Sequence, residues 1–282
     1  AELKTVEVSK AKQTISYGYM AGRKFTTDPI KLGAVSSSGL SVVYEVMEGP
    51  ATVFGDQLTL TGVGTLTVRA KHLGDENFLA ASAVDRTFSV SQGNQTLEIV
   101  FPDQIAWQSE PVEVELKASS GLSDFKLQVL SGPAEVVGSS KLKLTGVGEV
   151  KLILSESGDD RYGAALVQKA SNIVKASQSI EFGELSNMGF QATPIELNAI
   201  SSSGLDISYE VVSTHKLFGQ TWSLSSSEMV DSKLKLPAKG LLPQTVTVKA
   251  TQAGSNVYEA AQSVERSFEI TRGEDVLTFE PI

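Results

Sequence analysis

The chain contains no cysteine. Disulfides, thiolate-held metals and cysteine nucleophiles are therefore excluded, although the absence fits an oxidising and a reducing compartment equally. Histidine is almost as scarce, with His72 and His215 alone among 282 residues. No apolar run is long enough to span a bilayer as a helix, and no signal-peptide pattern starts at Ala1. No Lys/Arg cluster overrides the formal net charge of −9, so phosphate backbones are repelled and nucleic acid is not an expected partner. Helical periodicity with caps is missing throughout. So are a Gly-x-Ser-x-Gly elbow and a glycine loop opening a helix, which leaves hydrolysis and nucleotide chemistry without a motif.

What the chain does have is a period. With 41% hydrophobic and 20% charged residues the composition is that of a globular protein. Pro29 opens a segment, Ile30 to Leu40, that passes through Ser36-Ser37-Ser38-Gly39. It returns from Pro111 to Leu122 and again from Pro194 to Leu205. The glycine recurs at 39, 121 and 204, intervals of 82 and 83 residues. Self-similarity at a fixed spacing outranks length as a domain signal, so three units laid end to end are expected. The boundaries drawn from it are 10–91, 92–175 and 176–271. Residues 1–9 align with the last strand of a preceding unit, and 272–282 with the first strand of a following one.

Inside a unit, apolar residues fall on every second position, as in Thr65-Leu66-Thr67-Val68-Arg69-Ala70-Lys71. Period two means a strand with one face in a core and one in water. Some seven such strands, separated by Gly/Ser/Pro turns, predict an antiparallel β-sandwich. Thr61-Gly62-Val63-Gly64 reads as a hairpin turn. The second unit places Ser171 or Asn172 where Phe88 and Phe268 stand in the others, which predicts its least well packed end. The third unit carries fifteen extra residues, eleven of them within Ser213–Ser232 and four within Pro237–Gln244. A loop that breaks a repeat's period is where specific function is most often added, and this one holds His215, Phe218 and Trp222. These three are the candidate ligand or partner residues, set against the plainer reading that Trp222 folds onto its own sandwich.

Two aromatic series recur: Phe25, Trp107 and Phe190 before each proline, and Phe78, Tyr162 and Tyr258 before each Ala-Ala. Rings that plug the open ends of the sandwiches are favoured over a repeated ligand platform. The turns Gly74-Asp75-Glu76-Asn77 and Gly158-Asp159-Asp160-Arg161 offer Asp75, Glu76, Asp159 and Asp160 as calcium candidates. Against this, Gly254-Ser255-Asn256-Val257 has no carboxylate, and Asp is a common turn residue in its own right. His72, beside its turn, reads as solvated. No catalytic residue and no cofactor is expected.

The unit that runs through Gln13-Thr14-Ile15, Ser36-Ser37-Ser38-Gly39-Leu40, Tyr44-Glu45-Val46, Leu60-Thr61-Gly62-Val63-Gly64 and Asn77-Phe78-x-Ala80-Ala81 resembles the bacterial immunoglobulin-like repeats of secreted and surface-attached proteins. The resemblance implies an all-β chain of three tandem immunoglobulin-like sandwiches in an elongated rod, exported to the cell surface or beyond. It implies a non-enzymatic stalk or adhesin segment meeting a host or neighbouring-cell protein or a polysaccharide. The alternative is a carbohydrate-binding accessory segment of a polysaccharide-acting protein, with the third unit's insertion as its site.

Overall fold

A computed structural model describes residues 7–189, 193–217, 220–224, 228–230, 233–236 and 244–271, with the backbone alone over 215–217, 220–224, 228 and 230. In the first repeat the strands are β1 (Ile15–Ser16), β2 (Arg23–Lys24), β3 (Ile30–Lys31), β4 (Val35–Ser36), β5 (Val43–Glu48), β6 (Ala51–Phe54), β7 (Gln57–Leu60), β8 (Gly64–Lys71) and β9 (Val84–Ser91). One layer pairs β1 with β4 and β3 with β7 and β6; the other runs β2-β9-β8-β5. With β3 and β4 taken as halves of one strand, this is the strand order of a constant-type immunoglobulin sandwich. The parallel pairing of β2 with β9 carries the second half of the first strand across to the other sheet. The described residues of the second and third repeats are all β and follow the same order.

Alternation builds each core. Leu66, Val68 and Ala70 of β8 are fully buried, while Thr65, Thr67, Arg69 and Lys71 lie on the other side of the same strand. Val150, Leu152 and Leu154 repeat this in the second unit, and Val246, Val248 and Ala250 in the third. Three separate hydrophobic clusters result. The chain exposes 18151 Å², against about 11,700 Å² for one compact body of this mass. The cores are strung out, not merged.

Two turn readings change. Thr61-Gly62-Val63-Gly64 is not a hairpin, because β7 belongs to one sheet and β8 to the other. It carries the chain between layers, held by the Thr61 amide donating to the Pro50 carbonyl at 2.8 Å. Gly64 takes φ +134° there, a conformation that disfavours a side chain. The inserted segment is not a loop either. Ser208–Leu217 and Gln220–Leu224 pair as an antiparallel hairpin and add a fifth strand to the outer edge of the third sheet. In the first two repeats the corresponding edge strand carries a register shift, at Val46/Glu48 and at Val129/Ser131. Bulges of this kind blunt a sheet edge. The third repeat covers its edge with the hairpin instead.

The second repeat does not pack poorly. Ser171, 3% exposed, stands at the position of Phe88 and donates to the Pro102 carbonyl at 2.7 Å. Phe101 beside it joins the core. This repeat differs from its neighbours in another way. Tyr44 accepts from the Ala34 amide at 2.7 Å, and Tyr209 does the same for Ala199 at 3.0 Å. A phenol there takes a backbone donor out of the ladder, and the first strand keeps two paired residues in each of those repeats. Leu127 fills that place in the second repeat, opposite Leu154 as Tyr44 is opposite Ala70. The ladder there runs for four pairs, Leu97–Val100 on Glu115–Ala118. Residues 7–9, aligned with a preceding unit's last strand, are in no strand, and 1–6 and 272–282 lie outside the described residues.

Gln244 occupies the place of Gly64 and Gly148, opposite Ile270 as they are opposite Val90 and Ile173. It is 1% exposed, and neither atom of its amide has a hydrogen-bond partner. An unpaired buried amide costs about 1–3 kcal/mol. Gln244→Leu should therefore raise the melting temperature of the chain, read by calorimetry, while Gln95→Leu, which breaks a satisfied amide, should lower it.

Candidate functional site: the joints and the inserted hairpin

Each repeat begins with a glutamine, buried at Gln13 and Gln95 and half-buried at Gln178, that holds three segments together. Gln13 accepts from Ser38 Oγ at 2.6 Å and donates through Nε2 to His72 Nδ1 at 3.0 Å and to the Leu79 carbonyl at 2.7 Å. Gln95 accepts from Ser120 at 2.6 Å and donates to Glu156 Oε2 at 2.5 Å and the Gly163 carbonyl at 2.8 Å. Gln178 accepts from Ser203 and donates to Gln252 Oε1 and the Glu259 carbonyl, both at 2.6 Å. The acceptors His72, Glu156 and Gln252 also take the amide of the glycine two residues on. His72 is thus no solvated bystander. Its Nδ1 receives two donors, which leaves the proton of the neutral ring on Nε2. The recurring Ser-Gly turn is fastened by the same amide that fastens the loop before the last strand.

That loop carries the calcium candidates. Asp75 Oδ1 accepts the amides of Asn77 and Phe78, both at 2.8 Å, and Asp159 Oδ1 accepts those of Arg161 and Tyr162 at 2.8 and 2.7 Å. Ser255 Oγ does this work in the third repeat, for Val257 and Tyr258 at 3.2 Å. These side chains are turn caps, interchangeable because a turn needs one acceptor and not a charge. Glu76 and Asp160 stay exposed, and among the described residues no three His, Asp or Glu side chains gather as metal ligands. The Tyr162 amide, first among several hydrogen bonds, holds the Asp159 carboxyl below its ordinary value of 3.8. Its contribution is present above that value and is lost as pH falls through the lower folded one.

The turn aims an aromatic ring at the preceding repeat. Tyr162 packs edge-on against Phe25 with centroids 5.4 Å apart, and Tyr258 meets Trp107 in the same way at 5.3 Å. At both described joints the rings are therefore end plugs, but plugs in pairs: Phe25 and Trp107, which close one sandwich, each meet a ring of the next. Edge-to-face pairs of this kind add about 0.5–1.5 kcal/mol beyond burial. Arg161 lies over Phe25 at 5.9 Å, and Lys24 reaches Asn94 at 2.5 Å. Gly93 lets the backbones approach, since a Cβ there would sit 2.5 Å from the Phe25 carbonyl oxygen. The second joint has Ala176 at this position and Trp107 in place of Phe25, with Lys175 donating to the Ser255 carbonyl at 2.7 Å. Phe190, the third of its series, is outside the described residues.

In the inserted hairpin His215 pairs directly with Trp222, and Leu217 with Gln220. The same register sets Ser213 against Leu224, Thr214 against Ser223 and Lys216 against Thr221. Phe218 lies outside the described residues. Sequence spacing brought these residues together but could not show that they form an antiparallel ribbon.

No protein-family model and no curated protein matches this chain. Solved structures that resemble it include Drosophila N-cadherin EC1-3, at 11% identity over 90% of this chain and 98% of that one, with a TM-score of 0.27. An I-band fragment of titin matches at 11% identity over 93% and 99% of the two chains, TM-score 0.25. The S-layer protein rSbsC matches at 11% identity over 95% of this chain and 41% of that one, TM-score 0.32. At such scores these likenesses carry no argument, and the immunoglobulin-like assignment rests on the strand order itself.

Because Ser255 does what Asp159 does, Asp159→Ser should preserve the first joint and Asp159→Ala should loosen it. Hydrogen exchange of the Tyr162 amide would be slow in the first variant and accelerated in the second. The wild-type amide should itself exchange more easily, relative to that of Tyr258, once pH falls below 3.8.

Proposed function

We propose that this chain is a non-enzymatic, extracellular stalk segment of a bacterial surface protein, a series of immunoglobulin-like repeats that holds an adhesive surface at a set distance. The observation that carries this reading is the recurrence of one joint. At both junctions an aromatic ring from the turn of one repeat meets an aromatic ring that closes the one before it. Backbone bonds set the facing strand: Gly93 and Ala176 exchange two amide–carbonyl bonds each with the turn that bears the ring. A joint of paired rings, with its link fixed by backbone bonds to the following repeat, restricts bending without needing a bound ion. Units that meet only their neighbours make a rod whose length grows with their number.

Small-angle scattering tests it. Wild type should give a maximum dimension near three sandwich lengths and a narrow distribution of shapes. Tyr162→Ala with Tyr258→Ala, which removes the ring each turn offers and leaves Phe25 and Trp107 on their own cores, should keep the melting of the individual repeats close to wild type but broaden that distribution, as linkers freed of contact do. A wild-type envelope that is globular, or a double variant with unchanged scattering, would sink the proposal.

A second reading has its own support. The register pair His215–Trp222 belongs to the third repeat alone, at the edge of its sheet, and an aromatic beside an imidazole is the chemistry that a sugar ring's face and hydroxyls take. As a polysaccharide site it predicts retention of wild type in affinity gels and at least tenfold weaker retention for Trp222→Ala.

A further inference from the structure

Across the outer face of each large sheet, three neighbouring strands present one residue apiece. In the first repeat the row is Glu45, Arg69, Asp85. Arg69 donates to both carboxylate oxygens of Asp85, at 2.7 and 2.8 Å, and Glu45 holds Lys71 at 2.5 Å. In the third repeat the row is Glu210, Lys249, Glu265, with Lys249 4.0 Å from Glu265. In the second repeat the same row reads Gln128, Ile153, Gln168. Leu130 and Leu166 stand near it, 51% and 67% exposed. The ion-pair ladder that guards the other two faces has been replaced by an apolar centre between two amides.

We infer that the outer sheet face of the middle repeat is a dimerisation surface, and that its occupant is the same face of a second copy of this chain. Self-complementarity carries the choice of partner. A two-fold axis lying between two such faces, along or across the strands and centred on Ile153, sets Ile153 against Ile153 and each glutamine against a glutamine. An amide carries donor and acceptor together, so such a pair satisfies itself. The same operation centred on Arg69 sets guanidinium on guanidinium and carboxylate on carboxylate, and on Lys249 it does likewise. Burying those charges adds a desolvation cost to the repulsion. The first and third repeats thus exclude the contact that the middle one accepts, which is how a specific symmetric interface is confined to one place. For a chain of net charge −9, approach is easiest on a face whose charges, Lys126, Lys151, Glu149 and, beside Leu166, Asp124, sum to zero, with Lys151 and Glu149 in an ion pair at 3.2 Å.

The face is small. Four strands about 4.8 Å apart and about seven residues long cover roughly 450 Å² on each copy, short of the roughly 800 Å² of a standard interface, so the dimer is weak. Sedimentation equilibrium of the full chain from about 5 to 500 µM spans the affinities such an area allows. The weight-average mass should rise from 30.0 kDa towards twice that value, and high salt should not reverse the rise, because no ion pair crosses the contact. Ile153→Arg should leave the chain monomeric throughout, as should the triple change Gln128→Glu, Ile153→Arg, Gln168→Asp, which installs the row that the first repeat already folds with. Circular dichroism would confirm that at least one of these variants melts as wild type does. A wild type that stays monomeric, an association abolished by salt, or a folded variant that still dimerises would each overturn the inference.

Discussion

A primary amide withdrawn from water in a sandwich must find one partner for its oxygen and two for its nitrogen, and the buried Gln13 and Gln95 and the half-buried Gln178 find theirs on segments that no strand ladder joins. The oxygen takes the serine of the turn that links the two layers. The nitrogen takes a side chain at or just past the end of an inner strand of the larger sheet, and a carbonyl in the loop beyond it. Removing the amide leaves all three partner groups without it at once, and the loss is largest where the partner is itself buried, as at Glu156. The dependence then runs outward. The loop so fixed forms the capped turn, the turn aims Tyr162 or Tyr258, and the ring completes the joint with the repeat before it. Spacing along the rod thus traces back to a side chain inside each unit.

What the clamp requires is an acceptor at a given point, and the residue supplying it is free to change. An imidazole, a carboxylate and an amide fill one position at His72, Glu156 and Gln252. Two aspartates and a serine fill another at Asp75, Asp159 and Ser255. This is why the sequence misled where it did. Comparing the repeats column by column, a changing residue looks like a free one, so His72 reads as solvated and the aspartates as occasional metal ligands. Their shared role becomes visible only when the atoms that face Gln13 and its counterparts are known.

The sandwiches themselves were legible because a period of two residues is a direct image of burial: Leu66, Val68 and Ala70 cannot alternate with Thr67 and Arg69 unless one side is dry. Connections were less so. Gly62-Val63-Gly64 has the length and composition of a hairpin, and whether it returns to the same sheet or crosses to the other depends on partners far away in the chain. The insertion likewise announced its place by breaking the period, yet Ser208–Leu217 is a strand before it and within it. The row Gln128, Ile153, Gln168 could not be read from the sequence at all. Its members are separated by 25 and 15 residues and become neighbours only through the ladder register.

That last case shows where such a chain has room to diverge. Core positions are held by packing, where removal of a large apolar side chain costs about 2–5 kcal/mol. The ends are held by the amide clamp and the ring pairs, and an alteration there propagates to the next repeat. The outer sheet face carries neither burden. Surface ion pairs such as Arg69–Asp85 stabilise a fold by about 0–1 kcal/mol, so exchanging that row for glutamine and isoleucine leaves the second core as complete as the first. Their service is to keep faces apart, and losing them removes a barrier to contact more than a support for folding. The middle repeat lost its barrier on the sheet face and the third repeat gained a ribbon at the sheet edge. Both changes sit on surfaces that folding leaves unconstrained, so it is there, and not in the repeated turns, that this chain can differ in what it meets.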